Sequence, residues 1–213
     1  MKKRVLLLLF TFMLIGYVDA AVISGGIYED YYGNGVLSNK TMNSTINLFN
    51  VDTFENIIFN AGQGSYEFNV DKGSYMVFLN LNNNEIITYP GFGFHHVIIE
   101  DNSQIINNKD FGEFTLGKIS GYVYDKNDNI LSNVKVSLSN NFTYLTNEQG
   151  YYEFSNLDPG TYTINIEDNS INDILITSGM ISANNSFNID VVENKDNSKD
   201  DSWLDKVYRE LFL

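Results

Sequence analysis

Cysteine is absent from this 213-residue chain; proline and histidine occur twice each and tryptophan once. Without cysteine there is no disulfide and no thiolate chemistry. The fold must therefore hold by burial and hydrogen bonding, whereas small secreted domains commonly lean on disulfides. So little histidine and no cysteine leave no zinc set of the usual composition and no base to activate a Ser or Thr nucleophile. Two carboxylates can run glycoside chemistry, but no spacing singles out a pair. We nominate no catalytic residue, no cofactor and no metal ligand. Positive charge is scarce as well. Lys and Arg number 13 against 27 Asp and Glu, a net charge of −14. Phosphate backbones are bound by Lys and Arg that release counterions, so no nucleic-acid partner is expected, nor adsorption to anionic lipid by charge alone.

Long apolar runs are missing except at the start. Lys2, Lys3 and Arg4 precede an apolar stretch over 5–18, and Val18-Asp19-Ala20 has the compact residues of a cleavage site. This is the pattern of a secretory signal peptide over 1–20. The run is short of the ~20 residues that cross a bilayer; an uncleaved N-terminal anchor is the alternative. Either way the remaining chain is expected outside the cytoplasm, secreted or at the cell surface.

Aromatic residues are plentiful, with 14 Tyr and 15 Phe, and they fall in a repeated phrase. GSYEFNVDKGSYMVFL (from Gly64) and GYYEFSNLDPGTYTINI (from Gly150) align Tyr66, Phe68, Gly73 and Tyr75 with Tyr152, Phe154, Gly160 and Tyr162. Upstream, ISGGIYE from Ile23 aligns with ISGYVYD from Ile119. Two matches in the same order indicate a tandem duplication, the first copy carrying an insertion of about ten residues between Gly25 and Gly64. Tyr162, Ile164 and Ile166 alternate with Thr161, Thr163 and Asn165, the period of a half-buried strand. In the second copy, strands are expected at 118–125, 134–139, 142–146, 151–155, 161–166, 173–178 and 186–192. Leu157-Asp158-Pro159-Gly160 has the residues of a type II turn. Seven short strands with Asn/Asp/Gly turns predict a sandwich. The expectation is all-β: two tandem Greek-key β-sandwiches over 21–115 and 116–194, then an acidic linker and short amphipathic helix over 195–213. Met76 and Phe78 make both faces of their strand apolar, so a cover over the outer face is expected, from the inserted segment or the second domain.

The run from Ile119 through Gly121, Val123, Asp125, Leu131 and Asn133, followed by TNEQGYYEFSNLDPGTYTI, resembles the carboxypeptidase regulatory-like domain, a prealbumin-type β-sandwich, over 119–192. The resemblance implies an immunoglobulin-like scaffold or binding module without catalytic residues. Tandem copies behind a signal peptide are similar to adhesin-like secreted surface proteins. Three roles are implied: a structural or adhesive interaction module, an extracellular carbohydrate-binding module, or an accessory domain of a secreted peptidase complex. The partner is then a surface protein or a glycan. Tyr31, Tyr32 and Tyr151 are the aromatic platform candidates for a sugar. Related collagen-adhesin B-type domains add an isopeptide bond promoted by an inward Glu six residues after the turn glycine. Leu79 and Ile166 occupy that place here, and Glu167 is one residue off, so no isopeptide is expected.

The remaining candidates are local. His95 and His96, adjacent in a strand, point to opposite faces and cannot share a metal. Asp125-Lys126-Asn127-Asp128-Asn129 opens like a calcium loop, but Ile130 and Val136 stand where Gly and Glu are needed, so a polar turn is expected. Asn39, Asn43, Asn141 and Asn184 lie in Asn-x-Ser/Thr sequons. Trp203, Leu204, Val207, Tyr208, Leu211 and Phe212 form one apolar stripe at helical spacing. They are the candidate docking residues, for their own sandwich or for a partner; membrane contact through them is disfavoured by the balanced charges of Asp205, Lys206, Arg209 and Glu210.

Overall fold

Alternation and turn chemistry build strands throughout the computed structural model, which describes residues 20–190. The 1–19 segment and residues 191–213, including the six docking candidates from Trp203 to Phe212, lie outside the described residues. The described chain divides at Leu116/Gly117 into two units, with Thr177–Gly179 grouping with the first.

The first unit contains β1 (Ala21–Glu29), β2 (Ser44–Asn50), β3 (Asn56–Ala61), β4 (Ser65–Val70), β5 (Gly73–Asn80), β6 (Glu85–Tyr89), β7 (Phe94–Ile99), β8 (Ile105–Ile106) and β9 (Phe111–Thr115). They form a sheet in the order β4-β1-β9-β6, with β8 also on β1, facing a sheet in the order β3-β2-β5-β7. The second unit contains β10 (Gly117–Asp125), β11 (Lys135–Leu138), β12 (Thr143–Leu145), β13 (Tyr151–Leu157), β14 (Gly160–Ile166), β15 (Asn169–Ile176), β16 (Ile181–Ser182) and β17 (Phe187–Ile189). Its sheets are β13-β10-β16, with β17 also on β10, and β12-β11-β14-β15. All-β, two-sheet sandwiches of immunoglobulin-like type are thus the architecture of both units.

The pairing schemes coincide. β1 is antiparallel to β4 and parallel to β8 and β9; β10 is antiparallel to β13 and parallel to β16 and β17. The inward residues correspond: Ile23, Ile27, Tyr66, Phe68, Tyr75, Val77 and Phe111 in one core, Ile119, Val123, Tyr152, Phe154, Tyr162, Ile164 and Phe187 in the other, all buried. A shared device closes each sandwich. The Tyr66 hydroxyl donates to the Lys109 carbonyl, and the Tyr152 hydroxyl to the Asn185 carbonyl. Those carbonyls lie directly over Gly25 and Gly121, where a Cβ would collide with them.

The extra length of the first unit is distributed. The β1–β2 connection is longer than β10–β11, and β2 and β3 have 7 and 6 residues against 4 and 3 in β11 and β12. A further addition, absent from the sequence expectation, is β6, which joins β9. Two local expectations are corrected. Gly160 has φ 156° and Gly73 no positive φ, far from the ~80° of a type II turn; the tight connections are instead held by hydroxyls, Tyr75 to the Asp71 carbonyl at 2.9 Å and Tyr162 to that of Asp158 at 3.0 Å. The strand expected over 173–178 begins at Asn169, because Glu167, at φ 49°, turns the chain back at once. A register shift opposite Tyr162/Ile164 then absorbs Asp173, at φ 59°, as a bulge does.

Candidate functional site

The outer face of the β3-β2-β5-β7 sheet departs most from its counterpart. Register sets Phe49 beside Met76 and His96, and Asn47 beside Ile58, Phe78 and Phe94. At matching positions the second unit carries Ser137, Ser139, Thr163 and Asn165. Among the described residues of the first unit, no segment, the β1–β2 connection included, buries the face as expected. Ile58 is 64% and Ile98 58% exposed, while Met76 and Phe78 are half-buried by their neighbours. Phe54, at the β2–β3 turn, packs edge-on against Phe49 with ring centres 6.3 Å apart. The result is an open face that is apolar at its centre, edged by Asn56, Asn60, Ser74 and His96, on strands without Asp, Glu, Lys or Arg, and larger in kind than scattered surface residues.

A second feature lies on the outer face of β1 and β4. Tyr122 and Tyr151, on β10 and β13, have ring centres 5.2 Å apart, and Tyr124 stacks on Tyr122 at 6.2 Å. In the first unit Gly26 and Ser65 replace Tyr122 and Tyr151 by register. Without those rings the Tyr28 ring lies over Gly26, and beside it opens a cleft of about 650 Å³ lined by Ser24, Tyr28, Phe59, Glu67, Asn107 and Asp110 among others. Asp110 already accepts from the Gly26 N–H at 2.7 Å, and Ser24 donates to Asn107 at 3.0 Å.

The first unit also buries three acidic residues, Glu29, Asp30 and Glu113. Glu113, 1% exposed, accepts from the Ser44 hydroxyl across the sandwich. Burial, and secondarily Glu85, raises its pKa, opposed by the Ser44 hydrogen bond. The corresponding position in the second unit is Ile189, buried and apolar. Ser44 is its side-chain hydrogen-bond partner and Glu29 its register partner, and among the described residues no group of three or more His, Cys, Asp or Glu converges that could hold a metal.

The sequence candidates are placed as follows. His95 turns inward, its Nε2 2.7 Å from the Asp110 carbonyl and its ring 4.9 Å from Phe111; burial lowers its pKa. His96 turns outward, with Nε2 2.8 Å from Ser74 Oγ, so the two share no site. The Asp125 carboxylate accepts from the N–H of Asn127 at 2.7 Å and of Asn129 at 2.8 Å. Hydrogen bonds, first from the Asn129 side chain, hold its pKa below the usual range; this is a polar turn. Leu79 and Ile166 point inward, 6% and 0% exposed. Tyr31 and Tyr32, 45% and 58% exposed, form an edge-on pair in the first unit. Tyr151, in the second, is half-buried and donates to Glu153 at 2.7 Å, so its hydroxyl is engaged. Asn39, Asn43, Asn141 and Asn184 are all exposed. Sequence reasoning missed Glu113, the Gly26/Ser65 cleft and most of the apolar face; Met76 and Phe78 were the one visible trace of the last.

Residues 118–192 match the family model of the carboxypeptidase regulatory-like domain. No curated protein matches the chain. Among solved structures the chain is similar to the Bacillus anthracis TIE protein, with 16% identity and TM-score 0.42 over 80% of this chain and 34% of that one. It is similar to the Streptococcal ancillary pilin, with 10% identity and TM-score 0.41 over 80% of this chain and 63% of that one. For the minor pilin of Streptococcus agalactiae the values are 11% and 0.36, over 79% and 95%. The chain therefore spans about a third of the first and under two thirds of the second.

Proposed function

We propose, for a chain whose second unit carries a carboxypeptidase regulatory-like domain, a non-enzymatic role as a secreted or cell-surface adhesive module that binds another protein through its first sandwich. The observation that carries this reading is the apolar outer face of Phe49, Met76, Phe78 and Phe94, where the second unit has Ser, Thr and Asn. An uncharged apolar face favours an apolar protein surface over a glycan or a polyanion. The stripe from Trp203 to Phe212 supplies a second attachment element in this reading, and the sequons are glycan acceptors. The test replaces Met76 by Thr and Phe78 by Asn, the residues of the second unit. Adhesion of the purified protein to its own cells' envelope should fall at least tenfold with the fold intact. Equal adhesion, or turnover of peptide or glycoside substrates by the pure protein, refutes the proposal.

The Gly26/Ser65 cleft favours a second reading, a carbohydrate-binding module. It combines aromatic walls at Tyr28 and Phe59 with hydroxyl, amide and carboxylate groups, the mixture a neutral polyol needs. Filling it with Ser65→Tyr, the residue of the second unit, should abolish saturable binding on a glycan array, with Gly26 left unchanged because a side chain there would displace the Tyr28 wall. An array with no binding by the native chain removes this reading.

A further inference from the structure

The free edge of the first unit carries information beyond the adhesive reading. Among the described residues, β3 ends its sheet and pairs only with β2. Six consecutive pairs, from Ser44↔Ala61 to Phe49↔Asn56, run without a bulge. Edge strands are usually blunted by charge, proline, bulges or shortness. β12 has only 3 residues, the β10–β13 and β14–β15 ladders carry register shifts, β4 carries Glu67 and β7 two histidines. β3, reading Asn56-Ile57-Ile58-Phe59-Asn60-Ala61, has none of these protections. Its Ile57, Ile58 and Phe59 are 52%, 64% and 41% exposed.

The strand is also self-complementary. About Ile58 its residue classes read the same in both directions: Asn, Ile, Ile, Phe, Asn. Set antiparallel to a second copy of itself, Ile58 meets Ile58, Ile57 meets Phe59 and Asn56 meets Asn60. Each meeting joins residues on the same face of the sheet, as antiparallel pairing requires. The backbone agrees with this register. The Asn50 N–H donates to the Glu55 carbonyl at 2.8 Å. By the alternation of an antiparallel ladder, Ile57, Phe59 and Ala61 turn their peptide groups to β2, and Asn56, Ile58 and Asn60 turn theirs to the open side. Those are the residues that would form the hydrogen-bonded pairs at the axis, roughly six bonds in all. No charge lies between Asn56 and Gln63, so no like charges meet along the strand.

We infer that the chain forms an isologous dimer by antiparallel pairing of β3 with β3 of a second copy, joining two four-stranded sheets into one about a two-fold axis through Ile58. The net charge of −14 opposes the approach, so association strengthens as salt screens it.

The test is sedimentation velocity on the purified full chain over a range of concentration and salt. The native protein should dimerise, more tightly at high salt. Ile58→Lys, which sets two ammonium groups opposite one another at the axis, should leave a folded monomer. Ile98→Lys, an equally exposed apolar position on the other edge, should still dimerise, as should the Met76/Phe78 variant that tests adhesion. A hydrogen-bonded pair sets its Cα atoms ~5.5 Å apart, within disulfide reach. In this cysteine-free chain Ile58→Cys should therefore give an intermolecular disulfide on mild oxidation, and Ile98→Cys should not. A native monomer at every concentration, a dimer untouched by Ile58→Lys, or equal loss with Ile98→Lys overturns the inference.

Discussion

Replacing Gly121 by Ala tests the device that closes the second sandwich. An added Cβ would meet the carbonyl carbon and oxygen of Asn185, which are backbone atoms, and the Tyr152 hydroxyl at 2.8 Å. Backbone cannot swing aside as a side-chain tip can, so β10 must separate from the segment entering β17. Overpacking of this sort costs ~1–3 kcal/mol, and losing the Tyr152 hydrogen bond adds about 1 kcal/mol. We expect about 2–4 kcal/mol in all, or a fall in the midpoint of the second unit of roughly 10–25 °C for a domain of this size. Tyr152→Phe, which removes the hydroxyl and leaves the packing, should cost about 1–2 kcal/mol. Because both changes act on one carbonyl, the double variant should cost little more than Gly121→Ala alone, a coupling of about 1 kcal/mol. Amide exchange reports the units separately: protection on β10 and β17 should drop while β1 and β9 keep theirs. A cost below about 0.5 kcal/mol, or full additivity, would refute the reasoning.

Further expectations concern single groups. Glu113 has a folded pKa raised by burial, so the folded state binds the proton more tightly than the unfolded chain does. Its contribution is fully present below the unfolded value and is lost as pH rises through the folded one. Glu113→Gln, which keeps an acceptor for Ser44, should stabilise the first unit by about 1–2 kcal/mol at pH 8 and flatten that decline, as followed by urea unfolding at several pH values. His95 acts in the other direction, its pKa being lowered by burial. Stability tied to it is present above the unfolded value and lost as pH falls through the folded one, and His95→Phe should weaken the acid sensitivity of β7 amide protection. Tyr75→Phe and Tyr162→Phe remove equivalent hydroxyls and should each cost about 0.5–1.5 kcal/mol; a large cost in one unit alone would break the equivalence.

Much of the fold was legible because strands advertise themselves by alternation. Tyr162, Ile164 and Ile166 point one way wherever the strand lies, and Leu79 and Ile166 were placed inward by counting alone. The faces of His95 and His96 and the turn at Asp125 followed from equally local rules. The Glu167 reversal was not legible, since a non-glycine residue at positive φ leaves no compositional mark. The type II turn was misread because Pro159-Gly160 satisfies that turn's chemistry, while the reach of Tyr162 back to Asp158 settled a different backbone.

The chain by itself determined most of the strands of the second half, their inward faces and the correspondence between the two halves, because those depend on periods of two and on residues close in sequence. Only the tertiary structure decided which faces remain open. Phe49, Met76 and Phe94 are ordinary strand residues until register sets them side by side. Gly26 and Ser65, in different strands, become a cleft only when paired across a ladder. Asn56 to Asn60 becomes an edge only because, among the described residues, no strand lies beyond it. Adjacency between distant residues is a property of pairing, and pairing is chosen by the whole sandwich.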